Sequence, residues 1–360
     1  MKIYGTEIYF QKRIDPITGI KAVFVRISFL LLGLGVAGLI FLFNGINPIQ
    51  AYYDMIQVNL LLIPNTIARF IPLLAIGIGL AVPFKTRVDN IGAEGQYIIG
   101  MLTAAGTAFL FPDLPAIILI PLMFINSFIL GAIWAIPVVL FRAKGGFQGA
   151  DVVVSFLLVF PALYLMEWLV SDPWRDPETG FTYSSLLPVN ARIPKIPGTP
   201  IYISIFLVLA IALLIYYYLF RTVNGIPKTK LGYEINVLGK NPLAGRVAGM
   251  SFFKVILITM TFSGGMAAIA GVGEVAGNSL RLGVKSQGYG FTGIAVAYLG
   301  GLNPLGIIVS ALFFAALKVG GLALTGIPST VLQLFSGIVI FFVLLSEFFF
   351  RFTIKSRKLS

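Results

Sequence analysis

Apolar residues run through this chain in long blocks, not in the alternation of a half-buried strand or the narrow stripe of a surface helix. A helix needs about 20 such residues to cross a hydrocarbon layer roughly 30 Å thick. The blocks predict spans at Ile27–Phe43, Ile67–Phe84, Ile91–Phe111, Ala116–Phe141, Val152–Val170, Ile201–Phe220, Phe252–Ala276 and Thr330–Phe350. A Gly-rich stretch, Tyr289–Val319, is interrupted at Asn303–Pro304 and predicts either two short crossings or a re-entrant hairpin. The expected fold is all-α: a polytopic transmembrane bundle of about eight full spans plus a broken pair, eight to ten crossings in all. The first block runs into Asn44–Gly45 and not into a small-residue cleavage site, so it is expected to be a retained helix.

Composition strengthens this picture. The chain is 58% hydrophobic and 11% charged, with a mean hydropathy of +0.95, whereas globular domains carry roughly 25% charged residues. Its 39 glycines suit helices that pack closely in lipid. With neither Cys nor His, thiolate sites, disulfides and imidazole bases are all ruled out.

The net charge of +12 is spread between the apolar blocks and is not gathered on one soluble face, so it does not point to nucleic acid. Lys and Arg in short loops resist translocation. With the N-terminus placed in the cytoplasm, 19 of the 26 basic residues fall in cytoplasmic segments; the others are Arg69, Arg175, Arg192, Lys195, Arg281, Lys285 and Lys318. Both termini are therefore expected inside, with residues 1–26 as an N-terminal segment, 27–350 as the membrane domain and 351–360 as a tail. The Pro-rich loop 171–200 lies outside, long enough to pack as a small cap. The loop 221–251 lies inside. There Leu238, Leu243, Val247 and Met250 recur at near-helical spacing, predicting a short amphipathic element that serves as a connector or as a docking helix.

Candidate chemistry is sparse. No G-x-x-x-x-G-K-S/T loop exists, since Gly239–Lys240 is followed by Asn241 and Gly145–Gly146 by no Lys. No enzymatic activity is expected. Polar residues at membrane depth are costly and so are functional candidates. Asn90, Glu94 and Gln96 stand out in the run Asp89–Gln96; the plainer alternative makes Asn90 an N-cap and Glu94 a dipole partner. Glu274 closes the seventh block, where Arg281 and Lys285 can pair with it or meet a ligand. Tyr289 and Phe291 can stack on a flat ring or anchor an interface. Asp151 is read as a cap and Glu167 as an interfacial residue.

The run NIGAEGQ (Asn90–Gln96) resembles the signature of ABC-importer permeases for nucleosides, a branch of the family that also serves simple sugars and branched-chain amino acids. Three further stretches agree in order: Gly232–Ser251, Phe262–Gly277 and Gly288–Leu317, so that the resemblance covers about residues 60 to 350. The chain departs from the family pattern at Lys85, Arg87 and Asp89, and at Ala150–Asp151, where many relatives carry an Asn–Glu pair.

The resemblance implies a multi-pass permease of the prokaryotic inner membrane, paired with an identical or sister subunit. Separate cytoplasmic ATPase chains would hold ATP and Mg, with no cofactor on this chain, and an extracytoplasmic solute-binding protein would deliver the solute. It assigns ATPase coupling to Glu234, Gly239, Asn241, Ala244, Arg246 and Gly249, and makes nucleosides the expected solute, with simple sugars and flavin-like vitamins as alternatives. A secondary transporter would want an ionisable group at mid-depth and an inverted repeat, and the sequence offers neither clearly.

Overall fold

The structure is a computed structural model that describes residues 2–3, 6–13, 17–143, 149–178, 180–223, 225–321, 324 and 327–358; Lys144 and the Gly145–Gly146 pair lie outside them. The first elements are β1 (Lys2–Ile3), β2 (Thr6–Lys12), α1 (Gly19–Phe43), α2 (Pro48–Leu61), α3 (Ile63–Lys85) and α4 (Ala93–Leu110). Next come α5 (Ala116–Trp134), α6 (Ile136–Ala143), α7 (Ala150–Leu157), α8 (Val159–Ser171) and α9 (Ser204–Ile215), which ends in a π turn. The hairpin β3 (Thr222–Val223) and β4 (Ile226–Pro227) leads to α10 (Lys230–Lys240) and α11 (Pro242–Val247). Then follow α12 (Phe252–Val272), extended by a π-helical Gly273–Ser279, α13 (Tyr289–Leu299), α14 (Pro304–Gly320), α15 (Ser329–Arg351) and β5 (Phe352–Lys358).

Among the described residues, six helical stretches are long and apolar enough to cross a membrane: Gly19–Phe43, Ile63–Lys85, Ala116–Ala143, Ala150–Ser171, Phe252–Ser279 and Thr330–Arg351. The expected third span starts at Ala93, not Ile91, and is 18 residues long. The sixth is shorter still, as are α13 and α14. One helix went unforeseen. α2 carries Gln50 and Asp54, which bond to each other at 2.7 Å, and these polar residues hide it from a hydropathy reading. Asn47 caps it and Pro48 supplies its first turn, where the missing amide costs nothing.

Two compact units divide the chain, residues 1–58 with 320–360 and residues 59–319. In the first, α1 and α15 run antiparallel, with Phe29 on Phe349 and Phe41 stacked on Phe335 at 5.1 Å. Strands within the N-terminal segment and the C-terminal tail pair with each other. β2 and β5 are antiparallel from Thr6↔Lys358 to Lys12↔Phe352, and β1 adds a third strand.

In the second unit α3 and α12 form the centre: 89% and 78% of their apolar windows are buried, against 22% for the α5–α6 and α7–α8 stretches. Small residues make this possible. A Cβ on Gly264 would overlap the Gly131 backbone, so α12 and α5 cross at backbone contact. Described residues of the loop 171–200 pack against the segment that follows α12. The loop's Ser184, Leu187 and Ile193 amides donate to the carbonyls of Leu282, Leu280 and Ala276. Tyr202, fully buried, donates its hydroxyl to the Ala68 carbonyl.

Candidate functional site: a half-helix beneath a polar cavity

α13 is only 11 residues long and nearly all of it is buried. It runs parallel to α3: Tyr289 meets Arg69, Gly293 meets Ile76, and Tyr298 stacks on Phe84 at 4.8 Å. It therefore begins beside the second turn of α3, part-way down, and not at the helix's end. α14 returns antiparallel, with Ser310 bonded to Val296 and Lys318 to the Gln287 carbonyl at 2.9 Å. Between Ser279 and Gly288 the chain is non-helical. Leu280, at φ 58°, turns it downward, and Gly288, at φ 69°, starts α13. The break expected at Asn303–Pro304 is present, capped by Asn303 on the Leu305 amide. The second break, at 280–288, falls in the gap between the expected blocks Phe252–Ala276 and Tyr289–Val319. Together, the irregular segment and α13 lead from the end of α12 to α14. Such backbone at depth survives only where protein or a water-filled space satisfies it.

Glu94 satisfies it here. Its carboxylate accepts from the amides of Gly288 (3.1 Å), Gly290 (2.6 Å) and Phe291 (3.4 Å), and from the Ser286 hydroxyl. A carboxylate at a helix N-terminus meets unpaired amides and the positive end of the dipole together. The approach is so close that a Cβ on Gly290 would overlap the Glu94 backbone. Glu94 lies in the first turn of its own helix, as expected, and also serves the N-terminal end of α13. Asn90 is not the cap of α4, whose N-cap position is Gly92. It is fully buried and donates to Gln96 at 2.8 Å and to Ser263 at 3.0 Å. Asp89 accepts from the Tyr298 hydroxyl at 2.9 Å, holding the other end of α13.

Glu274 behaves differently. It accepts from Asn278 at 2.7 Å, pairs with Arg69 at 3.8 Å, and lines a cavity of about 550 Å³. Arg69 also donates to the Tyr289 hydroxyl at 3.0 Å, and Lys318 lies 4.6 Å from the Tyr289 ring centre. The cavity floor adds Ser279, Lys285 and Gln287; its wall is Phe181 and Tyr183, with the Arg281 guanidinium 4.1 Å from the Tyr183 ring centre. Of the two readings of Arg281 and Lys285, pairing with Glu274 or meeting a ligand, the pairing is made by Arg69 instead, and both residues line the cavity. The structure brings Glu94, Glu274, Tyr289 and half-buried Phe291 into one neighbourhood and leaves Asn90 and Gln96 in a closed pair. Arg69 and Lys318 went unnoticed as site residues, although each is a cation inside an apolar block, which is signal enough.

The 221–251 loop is two helices instead of one amphipathic element. Thr229 caps α10, and Asn241 caps α11 by accepting from Leu243 and Ala244 at 3.1 Å. The expected stripe splits. Leu238 is buried against Gly245, while Leu243 and Val247 point outward, Val247 being 91% exposed. Ala244, Arg246 and Gly249 share the exposed helix and its end, where Gly249 adopts φ 78°. Gly239 is buried instead, pressed on the Lys85 carbonyl, and Glu234 is half-buried.

Over residues 62–344 the chain matches the family described as the permease component of the branched-chain amino acid transport system. The chain belongs to that family. The permease is 33% identical to a glucose ABC transporter permease of Haloferax volcanii, over 90% of this chain and 87% of that one. It is 32% identical to a guanosine ABC transporter permease of Bacillus subtilis, over 91% and 94%. A nucleoside ABC transporter permease of Lactococcus lactis is 29% identical over 90% and 91%. With its apolar spans, this makes the permease a transport component and a multi-pass protein of the prokaryotic inner membrane.

Proposed function

We propose that this permease forms the membrane passage for nucleosides in an ABC importer. The observation that carries this is the cavity: an aromatic wall of Phe181 and Tyr183 above a polar floor of Glu274, Ser279 and Gln287, set over the start of a half-helix. A volume of about 550 Å³ falls in the range of small-molecule sites. A flat base stacks on aromatic faces, and ribose hydroxyls suit a carboxylate and an amide. The relatives that carry guanosine and nucleosides support this choice. A hexose is the second reading, favoured by the glucose relative and by the polar floor alone.

In this scheme a solute-binding protein delivers the nucleoside from outside, a second permease subunit completes the path, and ATP with Mg is held by cytoplasmic ATPase chains. These dock on exposed Leu243, Arg246 and Val247 of α11, an apolar pair flanking a cation. The test is ATP-dependent uptake of labelled guanosine, glucose and riboflavin into vesicles holding the assembled transporter. Guanosine uptake that needs ATP and the binding protein supports the assignment; uptake of glucose or riboflavin alone overturns the solute. Arg246→Glu should abolish most uptake while the chain stays folded, and undiminished uptake in that variant removes the docking role.

A further inference from the structure

The docking loop and the cavity lie at different levels of the unit, and two chains of contact from the loop converge on one turn between them. The first is direct. Gly239 of α10 presses on the backbone of Lys85 and Thr86, so tightly that a Cβ there would overlap the Lys85 carbonyl. The second passes through side chains. Arg246 of α11 lies 5.0 Å from the Phe252 ring centre, and Arg142 lies 5.6 Å from the same ring. Arg142 pairs with Asp151 at 3.7 Å, and Asp151 accepts from the Asp89 amide at 2.7 Å.

The turn reached by both routes is stiff. Val88 and Asn90 are fully buried, Thr86 bonds back to the Pro83 carbonyl at 2.6 Å, and Arg87 is held at φ 57°, a conformation that L residues seldom adopt. A packed turn of this kind shifts as a body. Asp151 is 2% exposed, so drawing Arg142 or Asp89 away would strand a buried charge; the link therefore transmits displacement. From the turn, the Asp89 side chain holds Tyr298, and Glu94, in the first turn of α4 just beyond it, holds the opposite end of α13. α13 begins two residues after cavity-lining Gln287 and bonds through Tyr289 to Arg69, the partner of Glu274.

We propose that the turn Thr86–Asn90 carries motion of the α10–α11 loop to α13 and so to the cavity, with Asp151 and Asp89 as positioning carboxylates. This rests on α11 being the ATPase contact. The test uses the assembled transporter and measures labelled guanosine moved per ATP hydrolysed. Tyr298→Phe and Asp151→Asn should each lower that ratio at least fivefold while ATPase chains copurify at unchanged stoichiometry. Asp151→Glu should restore most of it, as a bulk packing defect would not. Should Asp151→Asn fail to fold, a second measurement serves: the chain has no Cys, so Leu186→Cys, exposed in the loop three residues after cavity-lining Tyr183, takes a single fluorescent label on this chain beside the cavity. ATP should change its emission in the parent, and Tyr298→Phe should abolish the change. An unaltered ratio, or a persisting ATP response in Tyr298→Phe, overturns the relay. A parent transporter without ATP-driven guanosine uptake fails the nucleoside assignment instead, and the label readout still judges the relay.

Discussion

Two polar clusters of this permease look alike in sequence and are opposite in structure. The Asp89–Gln96 run and the Glu274 neighbourhood each set carboxylates and amides among glycines at the edge of an apolar block. In the first, each polar side chain is engaged by the protein: Asp89 by Tyr298, Asn90 by Gln96 and Ser263, and Glu94 by the start of α13. In the second, Glu274 is held by Asn278 and Arg69 but borders open space beside Ser279, Lys285 and Gln287. Burial of a polar residue thus says little about its role. What distinguishes a scaffold from a site is whether its hydrogen-bonding capacity is consumed, since only residual capacity is available to a solute.

Substitutions can break that comparison. Glu94→Ala should be the most damaging, because it strands the amides of Gly288, Gly290 and Phe291 in the interior. Removing one side of a buried charged arrangement costs about 3–5 kcal/mol. The loss should appear in detergent as a much lower unfolding temperature and yield; an unaltered midpoint would return Glu94 to the solute-contacting group. Glu274→Gln should act the other way, leaving the unfolding midpoint close to the parent's while guanosine uptake falls about tenfold, equivalent to about 1.4 kcal/mol. Equal uptake with reduced stability would make Glu274 another scaffold residue. The smallest effect is expected at Asn90→Ala, about 1 kcal/mol of stability for one buried hydrogen-bonded amide. Uptake per folded molecule should stay near the parent's, and a selective loss of uptake would show that the closed pair opens during transport.

Much of the fold was readable because lipid simplifies the problem. Long apolar blocks such as Phe252–Ala276 announce themselves, and the Asn303–Pro304 break follows from a residue that cannot continue a helix. Less was readable where tertiary contacts replace local pattern. α2 is masked by Gln50 and Asp54, which satisfy each other one turn apart. The strands β2 and β5 pair across nearly the whole chain, a separation that no local periodicity reveals. In the site, Glu94, Glu274, Tyr289 and Phe291 were picked out by type and place, but Arg69 and Lys318 were treated as charges without chemistry.

The sequence alone determined the solvent, the helical class, the family and the absence of an ATP-binding loop, because each depends on composition or on contiguous residues. Only the tertiary structure decided what the polar residues do. Glu94 caps a helix almost two hundred residues away, and Arg69 reaches Glu274 from another helix. Such partnerships arise when helices close over one another and each buried charge or amide must find a partner outside its own stretch of chain.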